Sequence, residues 1–391
     1  MMFLQYFVNG CFLPVISHYL KNHLGFEPFQ VGVIMAMPAI AAILAPFIMV
    51  RIADRLLAAE RLLAVNHFIA AACMLALFYQ KEFWPFLILY FCHGMVFVPT
   101  FALTNAVTFH HVTDAQRDFG GIRMWGPVSW VVVGWTFGYL WLRGGGTGVH
   151  DSRLPQALVL SAIASCVLAA YALTLPKSQV ERDRARRIAP SDTFALFLRP
   201  SLLLLCALTF LNAVVHQFYY YGMSPFLSQI GLADSHIMPA MSMGQFGEMF
   251  VMAGLGVCLA RLGVKRALVI GVAAQIVRCL VFAAGYAPLV LVVIPTHGVC
   301  YAFFFAVAYI YVDQNCSKQN RAGAQQLFNI LIAGFGNLAG NLFAGKTAQF
   351  FSHDGTIDFR LFWLTSAALA LVIAVVLALF FKPEKAPAQE V

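Results

Sequence analysis

Long apolar runs recur along almost the whole chain, and they restrict its possible folds more than any other feature. Of the 391 residues, 61% are hydrophobic and only 11% are charged, with a mean hydropathy of +0.78. A water-soluble core cannot accommodate so large an apolar fraction. A helix of about 20 apolar residues crosses a bilayer. The sequence therefore predicts an all-α polytopic membrane protein that contacts the lipid bilayer along its length.

Dividing the apolar runs by this length gives about twelve predicted transmembrane helices. They fall in the windows 2–20, 29–50, 62–80, 83–109, 121–142, 157–176, 201–222, 237–260, 266–285, 288–312, 324–350 and 360–381. The longest polar stretch lies between the sixth and seventh windows. The sequence therefore predicts a six-helix bundle over 1–176, a cytoplasmic linker over 177–200 and a second six-helix bundle over 201–391.

The basic residues predict the orientation of the chain. Most of the 25 Lys and Arg residues lie in loops on one side of the membrane if both termini are cytoplasmic, as the positive-inside rule requires. The same rule explains the net charge of +8, so we expect no nucleic-acid partner. We expect an integral protein of a bacterial inner (cytoplasmic) membrane. The nine cysteines show no metal-ligand spacing, and we expect no metal and no cofactor.

Gln245 and Glu248 interrupt an apolar run near its middle. A carboxylate at the bilayer midplane costs about 2.5–3.5 kcal/mol, so a helix retains it only where something offsets that cost. The two residues are three apart and share one helix face. They indicate a solute or proton site, with a structural hydrogen bond to another helix as the alternative.

Polar and aromatic residues recur at helical spacing in the first, fourth, seventh and tenth windows. Together they favour a wet, aromatic-lined cavity, because so many amides facing lipid would be too costly. Packing is the alternative for each residue alone. The set comprises Gln5, Asn9, Phe97, Phe101, Asn105, His216, Gln217, Tyr220, His297, Tyr301 and Phe304 or Phe305.

The segment Gly340–Thr347 matches the phosphate-binding loop pattern residue for residue. That chemistry needs a glycine-rich loop between a strand and a helix, whereas the segment lies in an apolar run with helical periodicity. We interpret it as part of a transmembrane helix, with Lys346 reaching the outer interface. No nucleophile-elbow, metal-ligand or kinase-like motif occurs in a loop, so the sequence does not predict an enzyme.

The loops after the second and eighth windows match in position. Residues 51–55 and 259–266 are both basic and are each followed by another apolar run, which is expected of two parallel six-helix repeats. The first loop resembles the loop 2–3 signature of the major facilitator superfamily without its leading glycine. This resemblance implies gating roles for Asp54 and Arg55.

Five segments, in order along the chain, resemble the nucleoside:proton symporter family of the major facilitator superfamily. They are Pro99–Asn105, Phe109–His111, Asp118–Gly126, Met243–Glu248 and Arg321–Gln325. The resemblance implies a twelve-helix importer that takes up a nucleoside with protons by alternating access.

The resemblance also implies site residues. Those carried over by position are Arg123, Gln217, Gln245 and Glu248, with an aromatic at Tyr301. Arg123 alone would also fit a cytoplasmic anchor of its helix. Gln217, Gln245, Glu248 and Arg123 suit a neutral solute with hydroxyls, while Tyr220, Tyr301 or Phe304 suit stacking on a flat ring. Glu248 is expected to carry the coupling proton.

Three positions depart from the family pattern. Pro127 replaces a Thr, Tyr220 replaces an Asn, and Ala302 replaces an Asp. The missing carboxylate leaves Glu248 as the expected coupling acid. Two alternatives stay open: a transporter or facilitator of another polar metabolite such as a sugar, and a non-transporting membrane receptor or scaffold. The polar cavity argues against a scaffold, and Gln245 with Glu248 favours coupled transport.

Overall fold

Helices make up nearly all of the chain in the computed structural model, which describes residues 1–53, 58–112, 114–142, 151–176, 196–317 and 320–384. Within these residues twelve helical spans, numbered 1 to 12 in chain order, occupy the predicted windows. This confirms the predicted all-α polytopic class.

The first six spans lie before residue 176. Their bounds are Met2–Phe12, Ile16–His18 and Tyr19–His23 for span 1, Pro28–Ala53 for span 2, Ala59–Tyr79 for span 3, Phe83–Phe97 and Thr100–His111 for span 4, Ala115–Trp135 and Thr136–Trp141 for span 5, and Gln156–Leu173 for span 6.

The last six spans begin at Pro200. Their bounds are Pro200–Gln229 for span 7, Asp234–Ala284 for spans 8 and 9 together, Ala287–Val293, Ile294–Thr296, His297–Cys300, Tyr301–Ala306 and Val307–Gln314 for span 10, Arg321–Asn329, Ile330–Gly336 and Asn337–Phe350 for span 11, and Phe359–Phe380 for span 12.

By length and composition alone, nine of the described helices are long and apolar enough to cross a membrane. One of the nine, Asp234–Ala284, contains both span 8 and span 9. The two spans are separated by a kink at Gly263, whose φ of +73° only glycine adopts readily. Spans 1 and 5 are each divided into shorter helices. In span 1 the break includes Pro14, which has no N–H to donate to the helix.

Spans 1, 5, 10 and 11 each contain a π-helical turn, at Tyr19–His23, Thr136–Trp141, Tyr301–Ala306 and Ile330–Gly336. Such turns change the direction in which side chains leave a helix, and they are frequent at functional sites. A short hairpin precedes span 12, where Ser352–His353 pairs with Thr356–Ile357.

The chain folds into two compact units. Unit 1 contains Met1–Ala185 and Tyr220–Ser242, and unit 2 contains Arg186–Tyr219 and Met243–Val391. Residues 177–195 of the predicted linker lie outside the described residues.

Buried hydrogen bonds hold the segment Tyr220–Ser242 within unit 1. The hydroxyl of Tyr221 donates to the carbonyl of Pro28 at 2.7 Å, and the hydroxyls of Ser17 and Ser224 are 3.0 Å apart. The side chains of Tyr221, Ser17 and Ser224 are at most 1% exposed. Breaking such a bond is unfavourable, because its donor and acceptor would be left buried without a partner and out of reach of water.

Candidate functional site

In unit 1, Arg123 lies against the aromatic ring of Tyr6. Its guanidinium carbon is 4.6 Å from the ring centroid, a geometry in which the cation is attracted by the face of the ring. Tyr6 in turn packs edge-on against Phe101 of span 4, with centroids 5.2 Å apart. The guanidinium therefore lies on an aromatic pair from spans 1 and 4, although its side chain is still exposed in the protein.

Gln5 was expected to line a cavity, but the structure places it in the interior of unit 1. It is fully buried, donates to the hydroxyl of Thr100 at 2.7 Å, and lies 2.9 Å from Nε2 of His67. This network joins spans 1, 3 and 4. The physical reason is that a buried amide is inexpensive once both its ends are hydrogen-bonded.

Tyr220, Asp54 and Arg55 are the remaining predicted binding and gating residues of unit 1. Tyr220 is half-buried at the start of the segment Tyr220–Ser242. The predicted gating residues Asp54 and Arg55 lie outside the described residues.

In unit 2, Gln245 and Glu248 are half-buried on span 8, on one face of a continuous helix. Backbone contact with span 10 fixes their position. A Cβ built on Gly298 would overlap the backbone of Gly247 and Glu248, and one on Gly247 would overlap the carbonyl of Pro295. Spans 8 and 10 therefore touch through their main chains at the level of the carboxylate.

Gln217 of span 7 is 7% exposed and packs against span 11. A Cβ on Gly340 would lie 2.8 Å from both Cβ and Cγ of Gln217, so a glycine is needed at that point. Gly340 is the first residue of the phosphate-loop match. The match lies in the helix Asn337–Phe350, as predicted, and its first glycine serves helix packing.

Aromatic rings from spans 7 and 10 stack in unit 2. His216 and His297 are 5.0 Å apart with an interplanar angle of 25°, and Tyr219 stacks on His297 at 4.5 Å. Tyr301 begins the π-helical turn of span 10, is half-buried, and lies 6.2 Å from His216. These three rings form a buried stack, and Tyr301 lies beside it.

Phe304, which was predicted to be able to stack on a flat ring of the substrate, is buried instead. It is 0% exposed within the apolar core of unit 2, and a Cβ on Gly271 would be only 2.9 Å from its backbone nitrogen. A ring packed in this way has no free face, so we leave Phe304 out of the proposed substrate contacts. Ala302, which replaces the Asp of the family pattern, is also fully buried in this core.

Comparison with known proteins identifies the family. The family model described as "Nucleoside H+ symporter" matches residues 1–386, which is nearly the whole chain. The chain belongs to the nucleoside H⁺ symporter family. The resemblance found in the five sequence segments is thereby confirmed.

Relatives of known name agree with membership of this family. The xanthosine permease of Escherichia coli (strain K12) is 31% identical, over 98% of this chain and 96% of its own length. The nucleoside permease NupG of the same organism is 25% identical, over 97% and 94%. A crystal structure of a NupG mutant superposes with a TM-score of 0.89, at 24% identity, over 97% of this chain and 98% of that one. The chain thus shares its fold with this crystal structure, and membership of a symporter family points to a non-enzymatic role.

Arg278 is absent from the residues predicted for this family member, although it is a charge inside an apolar run as Glu248 is. It lies in span 9 at 1% exposure, stacks over Tyr219 at 4.7 Å, and donates from Nη1 to Nδ1 of His297 at 2.6 Å. Arginine has no acceptor. Nδ1 of His297 must therefore accept, and His297 is neutral in this arrangement. Among the described residues, no carboxylate forms a salt bridge with Arg278.

We expect Arg278→Met to lower uptake by at least about tenfold while the protein still folds. Burying an unpaired cation costs several kcal/mol, and an apolar side chain of similar length removes that cost. An ionised side chain at membrane depth is energetically unfavourable, so a functional role is the default explanation for its presence. The measurements are the initial uptake rate and the thermal unfolding midpoint in one detergent, with Arg278→Lys as the variant that keeps the charge. Wild-type uptake by Arg278→Met would show that Arg278 only fills space.

Proposed function

We propose that the protein imports nucleosides together with protons by alternating access. The observation that carries the proposal is Glu248, a half-buried carboxylate in the middle of span 8, held by backbone contact with span 10. An ionisable group at membrane depth marks a solute or proton path by default. Membership of the nucleoside H⁺ symporter family supplies the solute class.

The chemistry of unit 2 fits a nucleoside better than a small ion. Gln217 and Gln245 offer amide donors and acceptors to sugar hydroxyls, and Glu248 accepts or donates according to its protonation. The ring of Tyr301 offers a face to a base, as aromatic side chains do for nucleobases. We propose that these four residues contact the substrate. Arg123 and Tyr220 of unit 1 are proposed as further substrate contacts.

Gating and location follow from the same proposal. Asp54 and Arg55 remain proposed gating residues because of their place in the loop after span 2. We propose that the protein lies in the inner membrane of a bacterium with both termini in the cytoplasm, since the basic residues fall on that side. A reporter fused after Val391 that scored as external would contradict this orientation.

The substrate class is tested by competition. Proteoliposomes with an inward proton gradient take up labelled uridine or adenosine, and unlabelled nucleosides, free bases and hexoses compete. We expect nucleosides to inhibit best, because only they carry both a ring face and sugar hydroxyls. A hexose that outcompetes every nucleoside would favour a sugar transporter. The absence of uptake of any solute would favour a receptor or scaffold.

A further inference from the structure

Three potential metal ligands that lie far apart in the sequence meet at one end of unit 1. Nε2 of His18 is 2.8 Å from Oδ1 of Asp234, a residue 216 positions later. Nε2 of His23 is 3.6 Å from Oδ2 of the same carboxylate. The ligand atoms of all three lie within 4.8 Å of one another. Two imidazoles and one carboxylate form a ligand set used by Zn²⁺.

The spacing of these atoms is near that of the ligands around a tetrahedral ion. With Zn–N and Zn–O distances near 2.0–2.2 Å, neighbouring ligands of a tetrahedral site lie about 3.4 Å apart. The two N–O separations lie on either side of that value, and they involve different oxygens of the carboxylate. All three ligand atoms lie within 4.8 Å of one another, so side-chain shifts of about 1–1.5 Å would bring them to tetrahedral spacing, with a water as the fourth ligand.

Neighbouring groups hold the ligands in place. The backbone N–H of Asp151 donates to Oδ2 of Asp234 at 2.8 Å, and the amide of Asn22 lies 2.8 Å from Nδ1 of His18. A half-turn of that amide presents its oxygen to Nδ1, which leaves Nε2 free of a proton and ready for metal. His18 and Asp234 are 0% and 3% exposed, so both ligands are removed from bulk water.

Among the described residues, the arginine two positions after Asp151 is neutralised by a carboxylate. The nearby guanidinium of Arg153 is paired with Asp151, with contacts of 3.0 Å and 2.8 Å. These hydrogen bonds from Arg153 lower the pKa of the Asp151 carboxyl below its usual value. The charge of Arg153 is therefore offset by that of Asp151 and does not oppose a cation at Asp234.

We propose that His18, His23 and Asp234 bind a divalent transition metal ion, with Zn²⁺ as the ion that best fits the ligand set. The bound ion ties the end of span 1 to the start of span 8, which carries Glu248 farther along. In the proposed orientation the site faces the outside of the cell. The sequence predicts no metal because the carboxylate is remote from the two histidines along the chain.

The test is Zn²⁺ binding by isothermal titration of the full-length protein in nanodiscs after treatment with a chelator. We expect one Zn²⁺ per chain for the wild type. His23→Gln and Asp234→Asn should weaken binding by more than the about 10- to 100-fold that loss of an outer-shell partner causes. His236→Gln is the matched control, since His236 is an exposed histidine two residues from Asp234.

The outcomes are separable from folding and from transport. His23 is the most exposed of the three ligands, at 12%, and the unfolding midpoint without metal shows whether each variant is folded. The site is supported if Zn²⁺ raises the unfolding midpoint of the wild type and of His236→Gln but not that of His23→Gln or Asp234→Asn. Wild-type protein that binds no Zn²⁺, or a folded His23→Gln that binds it unchanged, overturns the proposal. The assay contains no nucleoside, so a failure of the proposed transport function leaves it intact.

Discussion

Glu248→Gln is expected to abolish the accumulation of nucleoside against its gradient while downhill exchange continues. Glutamine keeps the size and hydrogen-bonding shape of the side chain but cannot take up and release a proton. In the proposed function, the half-buried carboxyl on span 8 contacts both substrate and protons. Substitution therefore separates binding, which an amide supports, from coupling, which it does not.

The expected effect is large because the driving force is large. One elementary charge that crosses 100 mV contributes about 2.3 kcal/mol, or roughly fifty-fold in accumulation. In Glu248→Gln the ratio of internal to external nucleoside should fall to about one at the same potential and pH gradient. The measurement is uptake by proteoliposomes with and without the gradient, together with counterflow of labelled substrate.

Glu82→Gln is the matched control, since Glu82 is an exposed carboxylate before span 4 and should leave accumulation unchanged. Full concentrative uptake by Glu248→Gln would remove Glu248 from the coupling role. The stacked pair His216 and His297 would then be the next candidate for that role. His216 directly precedes Gln217, and His297 lies one helical turn before Tyr301.

The spans could be predicted from the sequence because the signal is local. Each apolar run is long enough to cross a bilayer, and a membrane helix satisfies its own backbone hydrogen bonds. The half-buried Glu248 could be predicted by an equally local criterion, a charge within an apolar run, and Gln245 shares its helix face. Arg278 meets that criterion equally and would have been found by applying it to span 9.

Contacts between distant segments could not be predicted in the same way. Gln5 is polar on a helix face whether it lines a cavity or bonds Thr100 and His67, and only the packing of three spans decides between these. The meeting of His18 with Asp234 depends on where the start of span 8 packs. Nothing in either local sequence encodes that distance.

Gly298→Ala is expected to eliminate uptake and to lower the unfolding midpoint, although it adds a single methyl group. The added Cβ would overlap the backbone nitrogen of Glu248 and the carbonyl carbon of Gly247. Backbone cannot swing aside as a flexible side chain does, so spans 8 and 10 must separate. Overpacking of this kind costs about 1–3 kcal/mol, and more where the main chain has to move.

Gly254→Ala provides the comparison within span 8, since a Cβ there meets nothing within 4 Å. Alanine is favoured over glycine in a helix interior by about 1 kcal/mol, so this variant should be as stable as wild type or more so, with normal uptake. Both variants are purified in the same detergent, and midpoint and initial uptake rate are measured side by side.

Separation of the two spans displaces the carboxyl of Glu248 with its backbone, so any folded fraction of Gly298→Ala should also bind nucleoside more weakly. Wild-type stability and uptake in Gly298→Ala would mean that spans 8 and 10 do not touch at Glu248, and their contact could then not be what positions the coupling residue.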